Sequence, residues 1–258
     1  GLRSVSIGWA SDATQSYATA IGYSNIASQS FSSAVGYDNT ASGSQSVSFG
    51  YSNSVTSSSA SAVGLSNTVS SSNASAYGYS NSVTDDQSSA FGYQNTIEQG
   101  FTGGTALGNS NDVRESYASA VGYSNSADAE ESSAFGSRNT ASDTYASAFG
   151  YNNTASGGNS TAVGYSNNAA GSNSAVFGTS NQINSSANFA SAFGYSNLIN
   201  SSALKSTAIG FDNTINSSVR NAGAFGWQVT VGANGASAFG SSITNNVASS
   251  TMIGPNTD

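Results

Sequence analysis

The chain has 258 residues, and its five Lys and Arg residues against 13 Asp and Glu residues give a formal net charge of −8. The absence of His and Cys excludes zinc fingers, haem ligation through His or Cys, Ser-His-Asp triads, thiol nucleophiles and disulfides. The five basic residues are too few and too dispersed to follow a phosphate backbone, so we expect no nucleic-acid partner. The sequence also contains no apolar run of the length of a membrane span, so we expect that the chain is not embedded in a membrane.

A unit of the form Ala-apolar-Gly-Tyr-x-Asn recurs along the whole chain. Thirteen of the 17 spacings between its glycines are 14 residues, and the other four are 16 residues. Insertions of two residues lengthen a loop without changing the side of the strand that each residue faces. The sequence therefore predicts one continuous repeat domain over residues 1–258. The repeat glycines are Gly8, Gly22, Gly36, Gly50, Gly64, Gly78, Gly92, Gly108, Gly122, Gly136, Gly150, Gly164, Gly178, Gly194, Gly210, Gly226, Gly240 and Gly254.

Each repeat is expected to be one coil of a solenoid. Fourteen residues are too few for a helical hairpin, and they show no apolar stripe with a period of 3.6 residues. They suffice for two strands of four to five residues and two turns. The predicted fold class is therefore all-β, a parallel β-solenoid or β-roll of about 18 coils, of 14 residues except for the four longer ones.

We number each coil from its glycine as position 0. Alternation along the first strand places positions −2 and 0 on one side and positions −3, −1 and +1 on the other. We expect the Ala at −2 and the Gly at 0 to point inward, because so small a coil has no space for large side chains. Position +5, on the second strand, is Ala, Val or Ile in the first 16 coils and is also expected to point inward.

Position +3 is Asn in 14 consecutive coils. Asn tolerates left-handed backbone geometry at a corner, and identical amides stacked coil on coil can form a hydrogen-bonded ladder. We therefore assign these residues to a structural Asn ladder rather than to a binding function. They are Asn25, Asn39, Asn53, Asn67, Asn81, Asn95, Asn111, Asn125, Asn139, Asn153, Asn167, Asn181, Asn197 and Asn213.

The outward side of the first strand carries large apolar side chains at −1 and mostly aromatic ones at +1. Such a stripe exceeds the few hundred Å² that a soluble monomer normally exposes, so we predict a homo-oligomer that covers it. In the alternative, the Tyr ladder stacks with its hydroxyls in water and the −1 residues lie beneath it. The predicted oligomer interface is formed by Phe49, Phe91, Phe135, Phe149, Phe177, Phe193, Phe225, Phe239, Tyr23, Tyr37, Tyr51, Tyr79, Tyr93, Tyr123, Tyr151, Tyr165 and Tyr195.

The segments SSAFGYQNT, NSTAVGYSNNAAG and ALKSTAIGFDNT resemble the 14-residue YadA-like head repeats (haemagglutinin-repeat) of trimeric autotransporter adhesins. The resemblance implies a left-handed β-roll and a homotrimer formed through outward apolar residues. It also implies an extracellular or cell-surface location and binding to host matrix or other cells. The sequence departs from the family at −3, where a common Val is replaced by Ser or Thr, as at Ser33, Ser61, Ser89 and Ser147.

Other surface features support weaker hypotheses. Acidic residues near positions +6 to +9 offer oxygen ligands for Ca²⁺, but the sequence pattern of calcium-binding β-rolls is missing, so we predict neither a metal nor any other cofactor. A ladder without a cleft does not favour catalysis, so we predict no enzyme. The Ser and Thr array at +4 and +6 leaves an ice- or glycan-binding solenoid as an alternative, and end-to-end stacking leaves a filament subunit. The acidic residues are Asp85, Asp86, Glu98, Glu115, Asp128, Glu130, Glu131 and Asp143.

Overall fold

A computed structural model describes residues 1–98, 100 and 102–255. These residues form 35 β-strands joined by turns, with no helix among them. The chain divides into two compact units, residues 1–127 and residues 128–258, which are described separately below. The assignment of residues 1–258 to one continuous domain stays a prediction. Within the described ranges the chain contains no helix that is long and apolar enough to cross a membrane.

The first unit is a parallel β-solenoid of nine coils, each with a long and a short strand in the described residues. Each long strand pairs in parallel with the long strand of the next coil, and the short strands form a second parallel ladder. The long strands are β1 (Val5–Trp9), β3 (Thr19–Tyr23), β5 (Ser33–Tyr37), β7 (Val47–Tyr51), β9 (Ser61–Leu65), β11 (Ser75–Tyr79), β13 (Ser89–Tyr93), β15 (Thr105–Asn109) and β17 (Ser119–Tyr123). The short strands are β2 (Asp12–Ala13), β4 (Ile26–Ala27), β6 (Thr40–Ala41), β8 (Ser54–Val55), β10 (Thr68–Val69), β12 (Ser82–Val83), β14 (Thr96–Ile97), β16 (Asp112–Val113) and β18 (Ser126–Ala127).

The second unit has the same architecture, with nine long strands and eight short strands in the described residues. The long strands are β19 (Ser133–Ser137), β21 (Ser147–Tyr151), β23 (Thr161–Tyr165), β25 (Ala175–Thr179), β27 (Ser191–Tyr195), β29 (Thr207–Phe211), β31 (Gly223–Trp227), β33 (Ser237–Ser241) and β35 (Thr251–Pro255). The short strands are β20 (Thr140–Ala141), β22 (Thr154–Ala155), β24 (Asn168–Ala169), β26 (Gln182–Ile183), β28 (Leu198–Ile199), β30 (Thr214–Ile215), β32 (Thr230–Val231) and β34 (Thr244–Asn245).

Equivalent positions stack on one another within each unit. In β3 and β5, for example, Ala20 pairs with Ala34 and Gly22 with Gly36. The register is kept across the 16-residue coils, as in the pairing of β13 with β15, which confirms that the two-residue insertions preserve strand parity. The two-sheet, all-β solenoid predicted from the repeat is therefore confirmed, although the second strand is two residues long rather than four to five.

The interior of each coil is lined by small side chains and one larger one. The residue at −2 is buried from Ala20 to Ala238, and the residue at +5 is buried from Ala13 to Asn245, as the sequence predicts. The structure adds a third inward column that was not predicted from the sequence. The residues at −4, which are Ala, Ser or Gly, are buried from Ala18 to Ala236.

The prediction that the repeat glycine points into the interior is wrong. The glycines at position 0 are half-buried or exposed, and their φ angles lie between 114° and 142°. A Cβ placed on Gly64 would lie 2.1 Å from the carbonyl oxygen of Gly78 in the next coil. Glycine is therefore required by the backbone conformation and by the close approach of successive coils, and not by the width of the interior.

Two corners of every coil adopt left-handed backbone conformations. One is position +2, where φ lies between 51° and 58°, and the other is position −5, occupied for example by Tyr17 and Asn73. The prediction of a left-handed corner at the Asn of position +3 is wrong, because that Asn follows the corner. The corner itself is most often Ser, as at Ser24 and Ser52.

Candidate functional site

The Asn column fixes the shape of the face that precedes it in each coil. The amide nitrogen Nδ2 of Asn67 donates to Oδ1 of Asn53 at 2.9 Å and to the carbonyl oxygen of Gly78 at 2.8 Å. Asn67 also donates its backbone N–H to Oδ1 of Asn53 at 3.0 Å. All 14 Asn side chains are buried, and this pattern recurs in both units. A buried amide column of this kind holds successive coils in register at the end of each long strand.

The candidate functional site is the outward face of the long-strand sheet, formed by positions −1 and +1, which we call the apolar stripe. In the first unit Phe49 is 53% exposed and Tyr51 is 49% exposed. In the second unit Phe149 and Tyr165 are also exposed. Of the residues that the sequence predicts for the interface, Phe135 and Phe225 are half-buried and the others are exposed. The structure thus places these residues together on one face of each unit.

Rings of neighbouring coils stack along the apolar stripe. Tyr37 lies between Tyr23 and Tyr51, with ring centroids 4.7 and 4.9 Å apart and planes within 5°. In the second unit the rings of Phe177 and Phe193 lie 5.2 Å apart at 2°. Since rings stacked in this way still expose their outer edges, stacking reduces the exposed apolar area but does not remove it.

The hydroxyl of Tyr37 has a perturbed acidity. Desolvation raises its pKa above the ordinary value of 10.0, and the neighbouring hydroxyls of Tyr23 and Tyr51 and the carboxylate of Asp38 raise it further. The Tyr37 side chain is nevertheless 43% exposed, so the desolvation is partial and comes from its stacked position. The stripe therefore favours the neutral phenol at this point.

An arginine continues the stripe where the aromatic residue at +1 is missing. Ser137 occupies position +1 of its coil, and the guanidinium of the following Arg138 lies 5.8 Å from the centroid of the Tyr151 ring. Arg138 also donates a hydrogen bond to the Tyr151 hydroxyl at 2.9 Å. This cation–π contact covers part of the Tyr151 ring with a side chain from the neighbouring coil.

A second set of exposed aromatic residues lies at the corner of position −5 and was not predicted from the sequence. Tyr17 and Phe31 stack there at 4.9 Å, and Tyr117, Tyr145 and Phe189 occupy the same position in other coils. The sequence signal was weak because this column alternates between aromatic, polar and charged residues. Only the left-handed corner geometry shows that these side chains point outward.

The acidic residues do not form a metal centre within the described residues. Asp85 is buried and accepts a hydrogen bond from the hydroxyl of Ser88 at 2.8 Å, while Asp86 accepts one from the backbone N–H of Ser72. Glu98 and Asp112 both pair with Arg114. In the described part of the chain, no three Asp or Glu residues lie close enough to hold a metal ion.

The Ser and Thr residues at +4 and +6 lie on and beside the short strands. In the first unit Thr40 is half-buried at +4, while Thr68 and Ser70 are exposed. The column is interrupted by charged side chains, including the Arg114 cluster. The short-strand face is therefore polar and irregular, in contrast to the apolar stripe.

Comparison with known families identifies the repeat. The family model described as YadA head domain repeat (2 copies) matches residues 1–25, 27–53, 115–139, 127–153 and 155–181. These segments include coils of both units. No curated protein matches the chain. The matched segments are YadA-like head repeats, and their parallel coils agree with that assignment.

Proposed function

We propose that this chain, which carries YadA-like head repeats, is an extracellular, non-enzymatic adhesive module that self-associates through its apolar stripe. YadA head repeats belong to adhesins, which supports an adhesive role at the cell surface. The observation that carries the self-association is the exposure of large apolar side chains in successive coils, such as Phe49, Tyr51 and Phe91. A soluble protein normally covers a contiguous apolar surface of this extent.

Identical chains are the partners that fit this stripe. It consists of stacked columns with a constant repeat, so a second copy placed in parallel meets apolar residues at every coil. The polar corners and the short-strand face would then remain outside, available to bind matrix or other cells. A homotrimer is the assembly that the family supports, since YadA head domains form trimers in autotransporter adhesins.

Multi-angle light scattering on the full chain tests the self-association. We expect a discrete mass that is a multiple, threefold for a trimer, of the 25.7 kDa of one chain. The double variant Phe149→Asp/Phe193→Asp is expected to lower that mass, because both side chains lie on the outward face and the charges oppose its burial. The control is Thr154→Asp/Thr214→Asp, which adds the same charges at position +4 of the short strands in the same unit.

Circular dichroism of each variant shows whether the coils remain folded. The milder pair Phe149→Ser/Phe193→Ser is available in case the aspartates prevent folding. A folded wild-type chain that stays monomeric at high concentration would refute the self-association. Beads coated with wild-type protein or with the folded low-mass variant, applied to surfaces coated with extracellular-matrix proteins, test adhesion separately.

A further inference from the structure

Three consecutive long coils in the second unit form a local surface that differs from the rest of the repeat. The 16-residue spacings from Gly178 to Gly226 insert a second turn after β26, β28 and β30. In each of them the residue after this turn points inward and is buried, as shown by Ala187, Ala203 and Val219. Their backbone N–H groups donate back to the carbonyls of Asn184, Asn200 and Asn216. The insertions are therefore anchored to the interior.

The residues after these anchors stack in two columns, which we call the long-coil corner: Asn188, Leu204 and Arg220 in one column and Phe189, Lys205 and Asn221 in the other. The backbone N–H of Lys205 donates to the carbonyl of Asn188 at 3.0 Å, and that of Asn221 donates to the carbonyl of Leu204 at 2.9 Å. Arg220 and Asn221 therefore lie directly beside Leu204 and Lys205. Phe189, Lys205 and Asn221 have left-handed backbones, so their side chains leave the corner outward.

The long-coil corner carries positive charge that no acid neutralises. Lys205 and Arg220 are two of the five basic residues of the chain, and both are exposed. Neither forms an ion pair with any described residue, since the ion pairs there belong to Arg114. The acid between residues 182 and 222 is Asp212, which follows β29, whereas Lys205 precedes it. A five-residue strand places them roughly 16 Å apart, beyond the screening length in physiological salt.

Apolar and amide groups surround these charges. Phe189 is 58% exposed in the coil next to Lys205. The side-chain oxygen of Asn188 accepts a hydrogen bond from the N–H of Ser172 at 3.0 Å, and that of Asn234 accepts one from the N–H of Arg220 at 2.7 Å. These bonds fix Asn188 and the backbone of Arg220, so the corner is preorganised for a ligand.

We propose that the long-coil corner binds a linear acidic polysaccharide that carries carboxylate or sulfate groups. The two cations recognise the anionic groups, with Arg220 able to bind an oxyanion through two parallel hydrogen bonds. The Phe189 ring contacts the apolar face of a sugar, and the amide of Asn221 bonds to hydroxyls. Two cations are too few for a nucleic acid, whose binding requires many phosphate contacts, and the net charge of −8 disfavours an acidic protein.

The inference names a ligand class for the adhesive role proposed above and rests on that role. Fluorescently labelled heparin oligosaccharides are the probe, and the full chain at low ionic strength is titrated into them. We expect saturable binding that weakens as NaCl is raised, because exposed charges are screened by salt. The double variant Lys205→Gln/Arg220→Gln is expected to bind at least about tenfold more weakly, and Phe189→Ala about three- to tenfold more weakly.

The matched control is Arg3→Gln/Arg114→Gln, which removes the same number of positive charges from the first unit and is expected to leave heparin affinity unchanged. Neutral dextran and polyglutamate are the comparison ligands. Equal heparin affinity of the wild type and the Lys205→Gln/Arg220→Gln variant would overturn the site. Polyglutamate binding as tight as heparin binding, with no effect of Phe189→Ala, would overturn its preference for a saccharide.

Light scattering on the same samples separates this inference from the self-association. Heparin binding by a monomeric chain would support the long-coil corner and refute the proposed interface. An oligomeric chain without heparin binding would refute the corner alone.

Discussion

The side-chain amide of Asn39 donates a hydrogen bond to the carbonyl oxygen of Gly50, 2.7 Å away in the next coil. The two residues act together, because Gly50 has a φ of 125°, which no residue with a Cβ adopts readily. A Cβ on Gly36, the glycine that precedes Asn39, would meet the same Gly50 oxygen at 2.0 Å and the Asn39 amide at 3.0 Å. The repeat thus pairs a glycine that brings coils close together with an Asn that satisfies the glycine carbonyl of the next coil.

Removing one amide from this column is expected to destabilise the solenoid. Asn67→Ala leaves the carbonyl of Gly78 and the Oδ1 of Asn53 without their donor in a buried place. We expect a loss of about 2 to 4 kcal/mol, because each orphaned buried acceptor costs about 1 to 3 kcal/mol. Chemical denaturation measures the loss, and hydrogen exchange shows whether neighbouring coils open first.

The control for this change is Thr68→Ala, which alters the next, exposed residue of the same coil. We expect an effect within about 0.5 kcal/mol. Equal stabilities of the two variants would contradict a structural role for the Asn column.

The repeat glycine is expected to tolerate no side chain, whereas another glycine with positive φ is expected to tolerate one. Gly64→Ala places a Cβ 2.1 Å from the carbonyl oxygen of Gly78 at a φ of 123°, so successive coils must separate. Gly235, at position −5, has a φ of 67°, and a Cβ added there would meet no atom closer than 3.4 Å. Other coils carry Asn at the same position, as at Asn73.

We therefore expect Gly64→Ala to lower the melting temperature strongly and to reduce folded yield, while Gly235→Asn leaves both nearly unchanged. Differential scanning calorimetry of the two variants compares them directly. A stable Gly64→Ala protein would show that the coils can move apart and that close approach does not select glycine.

Much of this fold follows from the period of the sequence. Strict spacing between glycines set the coil length, and alternation about Ala34 and Gly36 placed Val35 and Tyr37 outward, as the structure has them. Alternation failed at the glycine itself, because it assumes ordinary strand φ angles and the repeat glycine lies in another region. The same assumption placed the left-handed corner on Asn39 instead of Asp38.

Other features required the three-dimensional path of the chain. The inward column at −4 lies after a corner, where strand alternation does not apply, so small residues such as Ser32 resembled loop residues. The exposed aromatic residues at −5, including Phe31, had no periodic partner in the sequence. The long-coil corner depends on which residues of successive coils stack, and this was not visible from spacing alone.

The interior column at +5 is expected to supply much of the packing energy where it carries its largest residues. Ile199 is fully buried and stacks between Ile183 and Ile215. Ile199→Ala is expected to cost about 2 to 5 kcal/mol through lost burial and the cavity left behind. Its half-buried, outward neighbour in the same short strand provides the control Leu198→Ala, which is expected to cost less. Urea unfolding of the pair tests this, and equal costs would mean that the interior contributes little.

Alkaline pH is expected to weaken the tyrosine stack through Tyr37. Because the folded protein raises the pKa of its hydroxyl, the unfolded chain loses this proton at lower pH than the folded chain. Stability from this group is therefore complete below the ordinary Tyr pKa of about 10 and is lost as pH rises toward the folded pKa. Tyr37→Phe removes the ionisation but keeps the ring, so its unfolding midpoint should fall less between pH 9 and pH 11 than that of the wild type (both values are about one unit either side of the ordinary pKa). Asp38→Asn removes one of the charges that raise the pKa, so absorbance at the phenolate band should show Tyr37 ionising at lower pH. A pH dependence identical in the wild type and Tyr37→Phe would show that the stack does not hold this phenol neutral.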